Sequence, residues 1–180
     1  MTRPAIFLDR DGTLVHDPGY LASPHHVRLI DGVAAALVEL DAAGFARVII
    51  TNQSGIGRGK FAVSDYDAVQ VELARQLAAA GASTDGAFFC PHLPDAGCAC
   101  RKPATGLHRE AAARLDLDLA ASWCIGDRIS DVTAAAGLGA RSVLVLTGEG
   151  KKHEEAAGRL GISVVADLGT AVAMILGSWN

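Results

Sequence analysis

Two carboxylates two residues apart, Asp9 and Asp11, stand directly after the apolar run Ala5-Ile6-Phe7-Leu8. At that spacing one can attack an electrophile while the other moves a proton, and both can help hold a hard cation. Taken alone, Asp9-Arg10-Asp11-Gly12-Thr13 is equally well an acidic turn made by Gly12. Three more polar groups bear on the choice. Thr51-Asn52-Gln53-Ser54 follows Val48-Ile49-Ile50, and a Thr51 hydroxyl with free backbone N–H groups beyond it can hold phosphate oxygens. Gly55, Gly57 and Gly59 come next, at a spacing that is not a dinucleotide fingerprint. Arg101-Lys102-Pro103 places two adjacent cations in an acidic chain. Gly126-Asp127-Arg128-Ile129-Ser130-Asp131 follows Trp123-Cys124-Ile125. Asp127 then stands at a strand end, and Asp131 at a helix start can cap, hold backbone N–H groups or orient metal-bound water. Singly, a strand-end threonine is ordinary and a basic pair is a solvated surface feature.

Groups so far apart in sequence can meet only along one edge of one sheet. Strand-like runs cover Ala5 to Leu8, Arg47 to Thr51, Gly86 to Cys90, Ser122 to Ile125, Arg141 to Leu146 and Ser163 to Ala166. Helix-like runs alternate with them. Gly32 to Ala43 stops at Gly44, and Ser64 to Ala80 opens on a serine cap and stops at Gly81. Leu107 to Leu115, Ser130 to Ala136 and Leu168 to Leu176 follow, while Gly148 to Leu160 reads as a solvated loop plus a helix. The alternation predicts an α/β fold: a Rossmann-like parallel sheet with helices on both faces. In such sheets ligands bind at the carboxyl ends of the strands, where all four polar groups fall.

With 180 residues, half of them hydrophobic, and no repeat or linker, the chain reads as a single domain, 1–180. Its net charge of −4 and 5% aromatic content argue against nucleic acid as a partner, including a single-stranded DNA end. No apolar stretch is long enough to span a bilayer, and the first strand begins almost at once, without a secretory signal, so the expectation is a cytoplasmic protein with no membrane partner.

In such a compartment clustered cysteines point to metal. Cys90, His92, Cys98 and Cys100 bring three thiolates and an imidazole within eleven residues, enough to complete a tetrahedral zinc site. With no open position that Zn²⁺ is structural, and the loop it stiffens, 90–100, ends directly in Arg101-Lys102. Cys124, inside an apolar run, reads as core.

Two carboxylates, a hydroxyl, a lysine and a further carboxylate, in that order, resemble the four motifs of the haloacid dehalogenase superfamily of phosphatases. The match runs over about residues 5 to 147. The resemblance implies that Asp9 is the nucleophile that forms an aspartyl-phosphate and that Asp11 is the general acid and base. It implies Mg²⁺ held by Asp9, the backbone carbonyl of Asp11 and Asp127, with Thr51 and Lys102 holding the phosphate oxygens. Asp9 is expected to stay ionised beside Mg²⁺ and Lys102. The zinc loop is similar to that of two capless groups, the heptose-bisphosphate phosphatases and the histidinol-phosphatase domain, and the spacings between motifs leave no room for a cap. Asp17-Pro18-Gly19-Tyr20 and the run Thr51 to Phe61 resemble the heptose group. That likeness implies removal of the C7 phosphate from a small-molecule sugar bisphosphate by a monomer. Substrate contacts would come from Asp9, Arg10, Asp11, Asp17, Pro18, Gly19, Tyr20, Thr51, Asn52, Gln53, Ser54, Arg101, Lys102 and Arg128. Gly126-Asp127-Arg128 is closer to the histidinol-phosphate group, which stays the alternative. A zinc-stabilised binding module without catalysis is disfavoured, since Asp9, Asp11 and Asp127 are all present.

Overall fold

The computed structural model describes residues 2–179. Six strands, β1 (Arg3–Leu8), β2 (Ala46–Asn52), β3 (Gly86–Cys90), β4 (Leu117–Gly126), β5 (Arg141–Val145) and β6 (Ser163–Val165), form one parallel sheet in the order β3-β2-β1-β4-β5-β6. The strand order reverses between β1 and β4. The helices are α1 (Val33–Ala42), α2 (Ser54–Gly57), α3 (Val63–Ala79), α4 (Gly106–Leu115), α5 (Ile129–Thr133), α6 (Gly150–Arg159) and α7 (Leu168–Gly177).

Alternation along β1 splits the core in two. Ile6 and Leu8 pack with α1, α3 and α7 through Leu37, Leu40, Leu73, Leu77, Val172 and Ile175. Ala5 and Phe7 face the other way, onto Leu107 and Ala111 of α4. Cys124 is buried in this second cluster, as its apolar surroundings in sequence predict.

The element boundaries differ from the sequence expectations at three places. Helix α3 is capped at Ala62, whose N–H donates to the Asp65 carboxylate at 2.8 Å, so Ser64 lies inside the first turn and caps nothing. The run from Ser130 to Ala136 is not one helix: α5 tightens into a 3-10 helix over Ala134–Leu138. Strand β4 starts five residues before Ser122, in a weakly strand-forming stretch, and is joined to β1 across an irregularity between Pro4 and Ile6. The Ser122 hydroxyl accepts the otherwise unpaired Ala5 N–H there at 2.8 Å.

Between β1 and α1 lie only a loop and a three-residue 3-10 turn, Pro24–His26. Between β3 and α4 runs the loop bearing Cys98 and Cys100. Neither connection carries an inserted domain, so the carboxyl edge of the sheet is left open.

Candidate active site

The ends of β1, β2 and β4 meet at the strand-order reversal, where open α/β sheets leave a crevice. A cavity of about 200 Å³ lies there, lined by Asp9, Asp11, Asp17, Gly19, Tyr20, Thr51, Asn52, Gln53, Ser54, Arg101, Arg128 and Asp131, with Leu21, Gly55 and Ser130. The loop after β3 delivers Lys102 from beneath. Its ammonium, almost fully buried, donates to Asp9 Oδ1 at 2.6 Å and to the Ile50 carbonyl at 2.6 Å, and pairs with Asp131 Oδ1 at 2.8 Å. Asp131 also takes the Arg128 N–H at 3.0 Å, so one carboxylate both caps α5 and orients the lysine.

Charge at the centre is unbalanced. Burial pushes the Asp9 carboxyl well above the usual range; Lys102 opposes this, and Asp131, Asp127 and Asp11 add to it. Lys102 does not offset the burial, and the sequence expectation of an ionised Asp9 counts Mg²⁺ beside it as well as Lys102. Burial likewise carries Asp127 up to about 6, although its Oδ2 accepts the Glu149 N–H at 2.8 Å. Asp127 Oδ1 is buried with no partner among the described residues. Oxygens of Asp9, Asp127 and Asp131 lie within 4.8 Å of one another. The Asp11 carbonyl accepts no hydrogen bond among the described residues. An orphaned carboxylate oxygen, a free carbonyl and an excess of buried negative charge fit a hard divalent cation.

Glycine is required at this centre. Gly12 has φ of 87° and a Cβ there would lie 2.2 Å from Asp127 Oδ2. Its freedom lets β1 turn sharply while the two acidic segments close together.

Three predicted substrate contacts, Arg10, Pro18 and Lys102, do not line the cavity, and the Lys102 ammonium is spent on Asp9, Ile50 and Asp131. Arg10 is fully buried beside the cavity, and its side chain does not line it. Its Nε and Nη2 instead donate to the Asp11 carboxylate at 3.0 and 2.9 Å. Pro18 does not line the cavity either. Asn52 lines it, but its amide is engaged in a two-way clasp, accepting the Lys102 N–H at 3.0 Å and donating to the Lys102 carbonyl at 3.2 Å. Gln53 donates from Nε2 to Asp11 Oδ2 at 2.7 Å and to Thr51 Oγ1 at 2.8 Å. The Thr51 hydroxyl hydrogen is thereby left for another acceptor. Arg128 reaches Asp17 at 3.3 Å and Glu149 at 3.2 Å, across the mouth. The sequence reading missed Glu149 and the pairing of Asp131 with Lys102; no local motif signals either.

Cys90, His92, Cys98 and Cys100 converge beside the cavity, with four ligand atoms within 4.8 Å of one another. Sulfur–sulfur separations run from 3.0 to 3.6 Å, and His92 Nδ1 lies 3.1 Å from Cys100 Sγ. Ideal tetrahedral zinc thiolate bonds would set the sulfurs about 3.8 Å apart, so the cluster could bind zinc with a small expansion. It is tied to the second motif by main-chain bonds, from Gln53 N–H to the Cys90 carbonyl at 2.7 Å and from Gly57 N–H to the Pro91 carbonyl at 2.9 Å.

A family model described as HAD-hydrolase-like matches residues 99–171. Among curated proteins, the D-glycero-beta-D-manno-heptose-1,7-bisphosphate 7-phosphatase of Yersinia pestis is 43% identical over 179 residues, 94% of this chain and 95% of the relative. The protein of the same name from Escherichia coli K12 is 43% identical over 155 residues, 81% of each chain. Among solved structures, the D,D-heptose 1,7-bisphosphate phosphatase of B. bronchiseptica, complexed with magnesium and phosphate, aligns with a TM-score of 0.89 at 38% identity, covering 97% of this chain and 99% of that one. The chain belongs to the family of HAD-like phosphatases that these relatives represent.

Proposed function

We propose that this chain is a Mg²⁺-dependent phosphatase that removes the C7 phosphate of D-glycero-β-D-manno-heptose 1,7-bisphosphate, leaving heptose 1-phosphate. The observation that carries the reading is similarity over nearly the whole chain, at 43% identity, to a protein of that name. The single cavity into which the acidic, hydroxyl and cationic groups converge supports it. Asp9, the Asp11 carbonyl and Asp127 would hold Mg²⁺, which when bound neutralises the repulsion between the Asp9 carboxylate and the incoming phosphate.

The residues divide the reaction into two displacements. Asp9 attacks phosphorus; the bond from phosphorus to the C7 oxygen breaks, its electron pair stays on that oxygen, and Asp11 supplies the proton. Water then attacks the aspartyl-phosphate and gives its proton to Asp11 as the bond to Asp9 breaks, which restores both side chains. The Thr51 hydroxyl holds an equatorial oxygen as charge spreads over it, while Lys102, its N–H groups engaged by Asp9, Ile50 and Asp131, contributes positive charge beside the site. Arg101 and Arg128 meet the distal phosphate and the sugar, with Asp17, Gly19 and Tyr20 forming the wall of the mouth. Cys90, His92, Cys98 and Cys100 hold a structural Zn²⁺ that stiffens the loop ahead of Lys102. The unit is the single domain 1–180, acting as a monomer, since one chain supplies every group named. Four free cysteines suit a reducing, cytoplasmic setting.

Phosphate release with Mg²⁺ from both anomers of the heptose bisphosphate and from histidinol phosphate, with Asp9→Asn as the blank, tests the reading. A preference for the β-heptose of about a hundredfold or more in kcat/KM, near 2.7 kcal/mol of transition-state discrimination, is the expected result. Preferential turnover of histidinol phosphate would overturn the substrate assignment and leave the phosphatase chemistry intact.

A further inference from the structure

Arg10 is the largest of the fully buried side chains, and the two-step reaction above gives it no task. A buried guanidinium is costly unless it is paired and hydrogen-bonded. Here every arm has a partner. Nε and Nη2 grip the two oxygens of Asp11 at 3.0 and 2.9 Å, and Nη1 donates to Gln70 Oε1 at 3.1 Å. The guanidinium carbon lies 5.3 Å from the ring centre of Tyr66. Gln70 and Tyr66 both belong to α3, so a packed helix holds the fork in place.

A two-point grip fixes the plane of a carboxylate, which a point charge cannot do. Gln53 adds a second donor to Asp11 Oδ2 at 2.7 Å. Oδ2 thus carries two donors and Oδ1 one. The lone pair left for a substrate is on Oδ1. We propose that Arg10, anchored by Gln70 and Tyr66, is a positioning residue that aims Oδ1 of Asp11 at the departing oxygen of the phosphate ester. When the phosphorus–oxygen bond breaks, the electron pair passes to that oxygen, and the proton on Oδ1 follows it. This inference rests on Asp11 being the proton donor.

Leaving groups separate aim from scaffolding. An alkoxide needs the proton as it departs, whereas p-nitrophenolate leaves as a stable anion. The measurement is kcat/KM, which reports the first irreversible step, for the heptose bisphosphate, phenyl phosphate and p-nitrophenyl phosphate. It is made on the Mg²⁺-loaded wild type, Arg10→Lys, Arg10→Met, Asp11→Asn, Tyr66→Phe and the Arg10→Lys/Asp11→Asn double variant. The ratio of poor to good leaving group on one preparation cancels any loss of folded protein. The expected result is that both Arg10 variants lower that ratio by about tenfold or more, part of what a general acid contributes. Arg10→Lys then changes nothing further in the Asp11→Asn background. Tyr66→Phe keeps the ring and loses only a hydroxyl that has no partner, so its ratio stays at the wild-type value. An Arg10 effect equal on all three esters, with Asp11→Asn still discriminating among them, would overturn the positioning role alone. An Asp11→Asn enzyme that does not discriminate would overturn the acid assignment and this inference together.

Discussion

Asp9 has more carboxylate neighbours than its one ammonium can balance, and that single imbalance explains most of the polar arrangement at the strand ends. Lys102 is threaded down to it, Asp131 is shared between lysine and helix start, and Asp127 keeps one oxygen without a donor. Behind Lys102 sits a residue of opposite character. His108 is buried, its ring edge-on to Phe7 at 5.0 Å, and burial together with the Lys102 charge pushes it down to about 3. The unfolded chain gains a proton there below about pH 6.5, while the folded one does not. His108 therefore adds stability above pH 6.5 that is lost as pH falls toward 3, with a slope of up to about 1.4 kcal/mol per pH unit. Urea midpoints of the wild type and His108→Leu across pH 4 to 7 check this: the variant should show the shallower acid limb, and parallel limbs would contradict it. At this scale the gathering of Asp9, Asp11, Thr51 and Asp127 at strand ends was readable from the sequence, because each lies within three residues of the end of an apolar run. The partners that aim them were not readable. Arg10 meets Gln70 across 60 positions, and Arg128 meets Asp17 across 111, so only the fold brings them within reach.

The loop from Cys90 to Lys102 is the element on which the cationic half of the site depends. Two clasps hold it: the Asn52 amide on the main chain of Lys102, and the main-chain bonds from Gln53 and Gly57 to Cys90 and Pro91. The cluster of thiols stands between them. Cys98→Ser is expected to abolish bound zinc by metal analysis, to lower the melting temperature by several degrees, and to reduce kcat by about tenfold or more through a misplaced Lys102. Unchanged turnover in zinc-free protein would show that the two clasps suffice. Spacing in the sequence reveals the cluster because thiolate ligands are rare and close together. It does not reveal the clasps, since Asn52 and Gln53 have side chains that serve a ligand or a backbone equally well. Strand β4 was half hidden for a similar reason. Asp118 to Ala121 have little preference for extended structure; of these only Asp118 pairs with β1, and the Ser122 hydroxyl accepts the Ala5 N–H at the irregularity that follows.

Over the whole molecule, the parallel order was legible from alternating strand and helix runs, while the reversal between β1 and β4 is a property of the assembled sheet. That reversal draws the acidic ends of two neighbouring strands together, so folding itself concentrates negative charge. A divalent cation that binds only the folded chain should stabilise all of it, by about 2.7 kcal/mol at a hundred times its dissociation constant. Thermal melts with and without Mg²⁺ should differ accordingly, and Asp127→Asn should shrink the difference. Equal melting temperatures for the wild type in EDTA and in Mg²⁺ would contradict a built cation site. The Arg10 fork has a consequence for anyone who mutates this protein at random. Colonies graded by the yellow of nitrophenol would pass variants whose α3 had drifted and let go of Arg10. The same variants would leave a sugar ester almost untouched, so a library chosen by colour would collect enzymes that no longer serve the cell.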